Sequence, residues 1–411
     1  MIKFIHAADL HLDRPFYGMQ YLPDRLFQRM VDSTFQALHK IGTYAIAHQV
    51  DFVLIAGDLY DVANPSLRAE RRFYQEVERL AMHDIPIYLI HGNHDALDGN
   101  RRHEEHENLI VFSEQVEVKR FQREGKPSVH IYGFSYPTRH VRESMVEAYK
   151  KVEGADYHIG LLHGYLSGHG EHDAYAPFTR QELETKGFHY WALGHIHQRF
   201  QLHPDHPMYY SGTPQGLSSK ETGDKGVNLV TLSSQGVEVR FLSTADSRYE
   251  TFNIDLTERT EVTQLIKDIE ELKKRWRDQS QGGIIRLVFE GQSPLHERLL
   301  DPLVKKDFLE AIQDGEEDEP CFFWVVDYKC ESVPSYPRDQ WEREPHFLGD
   351  LIRQVNQTAT IQPFIEELFT HSKGKRYLDP LEKEEEQEIL RAAEQWLIRS
   401  LFDPSEGSNV S

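Results

Sequence analysis

The feature that most constrains the fold is a short apolar run that ends in a polar turn containing glycine. It is clearest in Ile87-Tyr88-Leu89-Ile90-His91-Gly92-Asn93-His94-Asp95. The four apolar residues predict a buried strand, and Gly92 allows the chain to turn sharply after it. The amide, imidazole and carboxylate that follow therefore lie at the carboxyl end of a strand, where open α/β sheets bind their ligands. The stretch predicts part of a metal-dependent active site.

The same arrangement recurs within the first half of the chain. Further predicted strands run directly into polar residues at four places: 2–6, 52–55, 157–162 and 190–193. Helical periodicity predicts amphipathic helices at about 26–44 and 67–82. Strand and helix in alternation are typical of βαβ units, so the sequence predicts an α/β fold. Short strand-like segments between 199 and 242 predict antiparallel strands, as a sheet edge or a second sheet.

The polar residues at these strand ends form one candidate site. They are Asp9, His11, Asp58, Asn93, His94, His163, His195 and His197. Carboxylate, amide and imidazole groups without thiolates suit Mn²⁺, Fe²⁺ or Zn²⁺. In Asp-x-His and His-x-His, both side chains point to the same side of an extended chain, so each pair can reach one metal centre. Two metals about 3.5–4 Å apart need a bridging ligand, for which the Asp58 carboxylate is the candidate.

These motifs, in this order, resemble the five motifs of calcineurin-like metallophosphoesterases: Asp-x-His, Gly-Asp-x-x-Asp, Gly-Asn-His-Asp, His-Gly and Gly-His-x-His. Within that superfamily, Ala8–Leu12, Ala56–Asp61 and His91–Asp95 are most similar to SbcD-type DNA repair exonucleases, in particular the YhaO-like subgroup of Firmicutes. The motifs cover about residues 1–200. The resemblance implies a two-sheet α/β sandwich flanked by helices.

The resemblance also implies a role for each residue. One metal would be held by Asp9, His11, Asp58 and His197. The other would be held by Asp58, Asn93, His163 and His195. His94 would bind no metal, contact the scissile phosphate and protonate the leaving oxygen. A hydroxide between two divalent ions, Mn²⁺ above Fe²⁺ or Zn²⁺, would attack phosphorus in line.

A change of composition near 243–250 predicts a domain boundary. The expected organisation is a phosphoesterase domain at 1–245, an α+β unit at 250–340 and a helical tail at 341–411. The α+β unit matches the family's capping domain in position and size. In the last helix one apolar face consists of Ile389, Ala393, Trp396, Leu397 and Leu401. That face either packs on this chain or docks on an SMC-like ATPase, as the C-terminal helices of SbcD-type nucleases do.

Charge and hydropathy narrow the class of protein. The formal net charge of -21 excludes a uniformly basic DNA-binding surface but leaves room for local basic patches. With a mean hydropathy of -0.60 and no apolar run of membrane-spanning length, the expected location is the cytoplasm, without membrane contact. The resemblance also implies a two-fold dimer, although no stretch identifies its interface.

Several other acidic, basic and histidine residues can each be interpreted in two ways. Asp61 and Asp95 either orient the liganding histidines or cap helices, and His91 is expected to be a packed histidine. The basic groups either contact DNA or lie on solvated faces; they are Arg68, Arg71, Arg72, Arg101, Arg102, Lys373, Lys375 and Arg376. A loop with His169, His172 and Asp173 either contacts substrate or is solvated.

The expected function is hydrolysis of phosphodiester bonds in DNA during repair, as an exonuclease or endonuclease. One alternative keeps the chemistry and changes the substrate to a small phosphodiester, a cyclic nucleotide or a phosphoprotein. A second alternative is a non-catalytic scaffold that binds DNA ends for an ATPase. The complete set of motifs, which includes the non-ligand His94, favours an enzyme over the scaffold.

Overall fold

The structure is a computed structural model that describes residues 1–98, 106–167, 175–278, 281–335, 338–358, 360–370, 381 and 383–402. Several residues singled out in the sequence lie outside the described residues: Arg101, Arg102, His169, His172, Asp173, Lys373, Lys375 and Arg376. The chain divides into two compact units. The first comprises Met1–Glu250, Trp276–Ile285 and Gly315–Trp324, and the second comprises Thr251–Arg275, Arg286–Asp314 and Val325–Ser411.

Two six-stranded sheets form the framework of the first unit within its described residues. One sheet contains β1 (Ile2–Ala7), β2 (Phe52–Ala56), β3 (Ile87–Ile90), β4 (Leu109–Val111), β11 (Gly226–Ser233) and β12 (Gly236–Ser243), in the order β12-β11-β1-β2-β3-β4. The other contains β5 (Glu117–Phe121), β6 (Val129–Gly133), β7 (Tyr157–His163), β8 (Tyr190–Gly194), β9 (Phe200–His203) and β10 (His206–Tyr210), in the order β5-β6-β7-β8-β10-β9. The central strands of both sheets are parallel.

Helices cover the outer face of the first sheet. They are α1 (Asp24–Ala47) and α2 (Leu67–Ala81), while the short α3 (Arg180–Thr185) packs beside the second sheet. Because strand side chains alternate, Ile5 and Ile55 pack under the helices, whereas Phe4 and Leu54 pack between the two sheets. The predicted α/β fold with a two-sheet sandwich and flanking helices is confirmed.

The strands after residue 199 agree in part with the antiparallel prediction. β9 pairs antiparallel with β10, and β11 pairs antiparallel with β12. However, β10 lies parallel to β8 and extends the second sheet. The short strands β4 and β5 and the helix α3 were not predicted, because three to six residues carry too little periodicity to be recognised.

The remaining elements follow β12 along the chain. The strands are β13 (Ser247–Asp255), β14 (Gly282–Glu290), β15 (Gln292–Ser293), β16 (Phe323–Cys330) and β17 (Val333–Pro334). The helices are α4 (Val262–Arg277), α5 (His296–Leu300), α6 (Pro302–Gln313), α7 (Arg338–Arg343), α8 (Phe347–Gln357), α9 (Gln362–Thr370) and α10 (Lys383–Phe402). The sheet order is β13-β14-β16, with β15 paired to β17. The mixture of helices and strands and the helical C-terminal region agree with the secondary structure predicted from the sequence.

The last helix, α10, buries a different residue from the predicted apolar face. Ile398 is fully buried with Val333 and Ile352. In contrast, Trp396 is 62% exposed and Leu401 is 53% exposed. Within the described parts of the chain, no helix has both the length and the apolar character that crossing a membrane requires.

Candidate metal centre

The carboxyl ends of strands from both sheets meet at one place. β1, β2 and β3 of the first sheet and β7 and β8 of the second end there, and each is followed by one of the predicted polar groups. The two sheets approach closely at this point, since the Nδ1 atom of His163 lies 3.0 Å from the carbonyl oxygen of Ala56. All eight predicted residues lie in this cluster, although they span almost half of the chain.

His11 and His197 form one side of the cluster. The Nε2 atoms of the two rings are 3.2 Å apart, and the Nε2 atom of His11 is 3.8 Å from Oδ2 of Asp58. The Nδ1 atom of each ring lies against a carboxylate, Asp61 at 3.1 Å and Glu221 at 2.9 Å. Glu221 accepts a hydrogen bond from Nδ1 of His197, and the Asp61 carboxylate beside Nδ1 of His11 favours a hydrogen on that nitrogen, so the neutral form of each ring presents a lone pair on Nε2. These lone pairs face each other.

His163 and Asn93 form the other side. The Nδ1 atom of His163 donates to the carbonyl oxygen of Ala56, so that its Nε2 atom faces two oxygens. These are Oδ1 of Asn93 at 2.9 Å and Oδ2 of Asp58 at 3.3 Å. The same oxygen of Asn93 lies 3.1 Å from Nδ1 of His195.

The donor atoms therefore fit a cation. Acceptors that face one another repel unless a proton or a metal ion lies between them, and buried charges are normally paired or bound to metals. Oxygen and imidazole atoms lie within 4.8 Å of one another in three groups: Asp9 with His11 and His197, Asp9 with Asp58 and His163, and His11 with Asp58 and His94. Asp9, His11 and Asp58 each occur in two of these groups, so the three groups form one continuous site.

The backbone of the site is held in conformations that side chains other than glycine rarely adopt. Asp9, His11, Asp58 and His195 have φ angles of 53°, 42°, 48° and 103°. Each such residue costs on the order of 1–3 kcal/mol and persists where the surrounding structure enforces it, which is common at functional sites. At Gly57, with φ of 91°, a Cβ atom would lie 2.2 Å from the His163 ring, so a larger residue would displace the histidine.

Charge near the cluster shifts the ionisation of its members. Burial alone would lower the pKa of His163, but the Asp58 carboxylate, Asp9 and the carbonyl oxygen of Ala56 together outweigh it and raise the pKa to about 9. For Asp58 burial acts in the opposite direction, and the neighbouring His163 holds its pKa well below the usual range. Burial lowers the pKa of His195 to about 3, which keeps that ring neutral. The anionic Asp58 therefore attracts positive charge at this point, and His195 offers a neutral ligand beside it.

Supporting carboxylates hold the loops around the cluster. Asp95 accepts hydrogen bonds from the backbone N–H groups of Leu59 and Gly92, at 2.9 and 2.8 Å. It also lies 2.9 Å from Nδ1 of His91, which is fully buried, as expected for a packed histidine. Asp61 lies against His11, in a position to orient this liganding histidine, which is one of its two predicted roles. Asp95 therefore fixes the turn that carries Asn93 and His94.

Glu221 was not predicted from the sequence. It lies in a loop after β10, outside every motif, and contacts His197 through Oε1. Its other oxygen accepts from the backbone N–H of Leu217 at 2.9 Å. No local signal in Ser218-Ser219-Lys220-Glu221-Thr222 distinguishes this acid from other surface acids, because its function depends on a contact formed by the fold.

His94 lies beside the cluster with one nitrogen already engaged. Its Nδ1 atom is 2.9 Å from the backbone carbonyl oxygen of Asp61, to which it donates, and its backbone N–H donates to Oδ1 of Asp58 at 2.9 Å. Its ring meets the His11 ring edge-on, with centroids 4.7 Å apart. The Nε2 atom of His94 is therefore the nitrogen that remains for a ligand or substrate.

Comparison with known proteins agrees with this geometry. The profile of the family described as calcineurin-like phosphoesterases matches residues 2–199. The chain is 38% identical over 405 residues to the "uncharacterized metallophosphoesterase YhaO" of Bacillus subtilis, which covers 97% of this chain and 98% of that protein.

Relatives with lower identity carry a different name. The chain is 24% identical over 400 residues to the DNA double-strand break repair protein Mre11 of Sulfolobus acidocaldarius, covering 93% of this chain and 98% of that protein. It is 26% identical over 290 residues to the Mre11 protein of Methanocaldococcus jannaschii, covering 67% and 75%. The resemblance seen in the motifs is confirmed, and the chain belongs to the calcineurin-like metallophosphoesterase family.

Proposed function

We propose that this metallophosphoesterase hydrolyses phosphodiester bonds in DNA and acts in DNA repair, with Mn²⁺ as its metal. The observation that carries the chemistry is the convergence of carboxylate, amide and imidazole acceptors from five strand ends into one buried cluster. DNA as substrate is supported by the relatives named DNA double-strand break repair protein Mre11.

The residues divide between two metal ions in this proposal. Asp9, His11, Asp58 and His197 would hold one ion, and Asp58, Asn93, His163 and His195 would hold the other. Divalent ions bound there would supply an activated water as nucleophile and positive charge facing the phosphoryl oxygens. The support for Asp58 as the shared ligand is its Oδ2 atom, which faces both His163 and His11.

His94 would act on the substrate. The carbonyl oxygen of Asp61 fixes the ring through Nδ1–H, so that in the protonated imidazolium form Nε2–H is left to donate a hydrogen bond to a phosphoryl or leaving oxygen. A donor held in place before the reaction stabilises charge that develops in the transition state, because it need not reorient. His94 also lies within ligand distance of Asp58 and His11, so metal content must be measured alongside its effect on turnover.

The C-terminal helices supply the proposed contact with an SMC-like ATPase. In α10, Ile389 is 43% exposed and Leu397 is 40% exposed, in addition to the more exposed Trp396 and Leu401. Exposed apolar patches of this kind are typical of protein interaction sites. The dimer implied by the motifs remains a proposal of the same kind.

Digestion assays with several substrates test the proposed function. The purified protein is loaded with Mn²⁺ and incubated with end-labelled duplex DNA, with single-stranded DNA and with a small chromogenic phosphodiester. Asp58→Asn and excess chelator serve as controls for contaminating nucleases. We expect Mn²⁺-dependent cleavage of both the chromogenic ester and DNA.

Each outcome of this assay favours one substrate class. Hydrolysis of the small ester without cleavage of DNA, with and without an ATPase partner, would replace the DNA substrate by a small phosphodiester. Loss of both activities in a protein that still binds DNA ends would favour the non-catalytic scaffold. Cleavage by Asp58→Asn at the wild-type rate would show that the activity is a contaminant.

A further inference from the structure

A cavity adjoins the metal centre and is not used by the chemistry above. It has a volume of about 310 Å³, within the range of about 300–1,000 Å³ typical of small-molecule sites. Its walls include Arg14, Tyr17, Tyr21, Asp61, Leu217 and Tyr249. We call it the Tyr17 cleft. All of its lining residues belong to the first compact unit.

Both walls of the Tyr17 cleft are tied to residues of the metal centre. On one wall, the Asp61 carboxylate lies against His11 and its carbonyl oxygen holds His94. On the other wall, the Leu217 backbone is hydrogen-bonded to Glu221, whose second oxygen contacts His197. A molecule that occupies the cleft is therefore a few side chains away from the position proposed for the scissile phosphate.

Two tyrosine rings stand at this cleft with most of their surface exposed. Tyr17 is 85% exposed and Tyr21 is 58% exposed, whereas Phe16, Met19 and Leu22 in the same loop are buried. The buried residues anchor the loop, and the floor is fixed by the Tyr249 hydroxyl, which lies 3.2 Å from the Met19 sulfur. Large rings held out from an anchored loop offer flat apolar faces.

The polar groups of the cleft complete a surface suited to a nucleoside. The Arg14 guanidinium is held by Asp61, with Nη1 2.7 Å from Oδ1, and is still 32% exposed. A guanidinium plane can stack on a base or donate to a phosphate. Aromatic rings stack on any base, because every base has a π-face, and this contact is worth about 1–3 kcal/mol per base.

We propose that the Tyr17 cleft binds an unpaired nucleobase that flanks the scissile phosphate. The proposal rests on the proposed function, since it assumes a nucleic acid at the metal centre. A base within a duplex is stacked and paired, so it reaches the cleft only after it has left the helix. The cleft therefore gives the enzyme a preference for single strands, frayed ends or unpaired nucleotides at the cleavage position.

Abasic substitution tests the cleft directly. A set of single-stranded oligonucleotides carries one tetrahydrofuran abasic residue, moved position by position past the cleaved bond. The proteins are wild type, Tyr17→Leu and Tyr21→Leu, with Tyr17→Phe and Tyr21→Phe as matched controls that keep the ring. For each combination of protein and oligonucleotide, kcat/KM for the oligonucleotide with Mn²⁺ is divided by kcat/KM of the same protein for the small chromogenic phosphodiester. Any damage to the metal centre affects both values and cancels in this ratio.

For the wild type, we expect this ratio to fall about 5- to 150-fold when the abasic residue occupies one or two positions beside the cleaved bond. The leucine variants should show a similar fall on the intact oligonucleotide and little further loss at those positions, since the stacking partner is already missing. The phenylalanine variants should follow the wild type. If the ratio of kcat/KM values did not depend on the abasic position, or if the leucine variants matched the wild type, the proposed base-binding role of the cleft would be overturned. The proposed function would still stand.

Equilibrium binding separates the two proposals if the wild type cleaves no DNA. Kd is measured by fluorescence anisotropy for the same labelled oligonucleotides, with Ca²⁺ in place of Mn²⁺. The proposed base-binding role of the cleft would be supported, even without DNA hydrolysis, by two results together. The wild type would bind more weakly when the abasic residue occupies one or two positions, and the leucine variants would show no such dependence on position. Equal Kd values for intact and abasic oligonucleotides would overturn the cleft.

Discussion

Two clusters of carboxylate and imidazole groups in the first unit both bring ligand atoms close together but have very different surroundings. The inner cluster is the candidate metal centre. The outer cluster consists of Glu184 on α3 with His203 and His206, which flank the turn between β9 and β10. In both, carboxylate and ring nitrogen atoms lie within 4.8 Å of one another.

The clusters differ in burial and in the state of the ring nitrogens. Asp58 has a side chain only 3% exposed, whereas Glu184 is 25% exposed and already faces Arg180, with Nε 3.2 Å from Oε1. In the inner cluster, carboxylates face Nδ1 of His11 and His197, and the neutral form of each ring then has its lone pair on Nε2. In contrast, Nδ1 of His203 accepts from the backbone N–H of Asp205 at 3.3 Å, so the neutral ring carries its hydrogen on Nε2.

The two clusters share the proximity of their ligand-type atoms, so this proximity alone does not distinguish them as metal sites. The inner cluster also has carboxylates that orient its rings, a strained backbone that the surrounding structure enforces, and burial, which makes uncompensated negative charge costly and so favours a bound cation. Water screens the charge on the exposed outer cluster, so it can persist without a metal. The predictions below test this difference, in order of decreasing effect.

The largest effect is expected for Asp58→Asn. Loss of the shared carboxylate should reduce bound metal from roughly two ions per chain to less than one, because a neutral amide bridges two cations poorly. Hydrolysis of the chromogenic ester should fall by at least about 10³-fold. Elemental analysis of the purified protein gives the stoichiometry, and circular dichroism checks the fold. Full occupancy of both sites in this variant would remove the bridging role of Asp58.

His94→Gln should separate metal binding from turnover. We expect bound metal to remain as in the wild type while kcat falls about 10²- to 10⁴-fold, the range for loss of a group that transfers a proton. Metal content and steady-state rates are measured on the same preparation. A parallel loss of metal would show that His94 is a ligand, and wild-type turnover would show that it has no catalytic part.

Glu221→Gln should weaken the metal centre without abolishing it. The carboxylate that orients His197 would become an amide, and metal affinity should fall about 10- to 100-fold, with kcat recovering at saturating Mn²⁺. Asp205→Asn is the matched control, because Asp205 lies 3.9 Å from His203 in the outer cluster and is 84% exposed. Equal Mn²⁺ affinity for Glu221→Gln and wild type would exclude an orienting role for Glu221.

The smallest effect is expected for the double substitution Glu184→Gln and His203→Gln in the outer cluster. Metal stoichiometry and hydrolysis rate should both stay within about twofold of the wild type, because this carboxylate already has a cationic partner. Titration with Mn²⁺ and with Zn²⁺ provides the measurement. A third bound ion in the wild type that disappears in the variant would show that exposure does not prevent metal binding here.

Most of the sandwich could be predicted from the sequence, because its strands and helices follow from patterns among neighbouring residues. Strands such as Phe52–Ala56 and Ile87–Ile90 are uninterrupted apolar runs with a glycine one or two residues after them, and α1 shows a regular helical period. The parallel pairing of β10 with β8 could not be predicted, because strand partners depend on the path of the chain. Which residue of α10 is buried could not be predicted for a related reason, since Ile398 packs against residues distant in sequence.

The sequence by itself determined the inventory of candidate ligands, because Asp9, Asp58, Asn93 and His163 each lie at the end of an apolar strand pattern, which is a local signal. The tertiary structure decided which nitrogen of each ring faces the site. That choice depends on Asp61 and Glu221, which approach His11 and His197 from other segments. The Tyr17 cleft likewise exists because residues 14–21 and 217–219 meet beside Asp61. Contacts between distant segments follow from packing, and no local pattern encodes them.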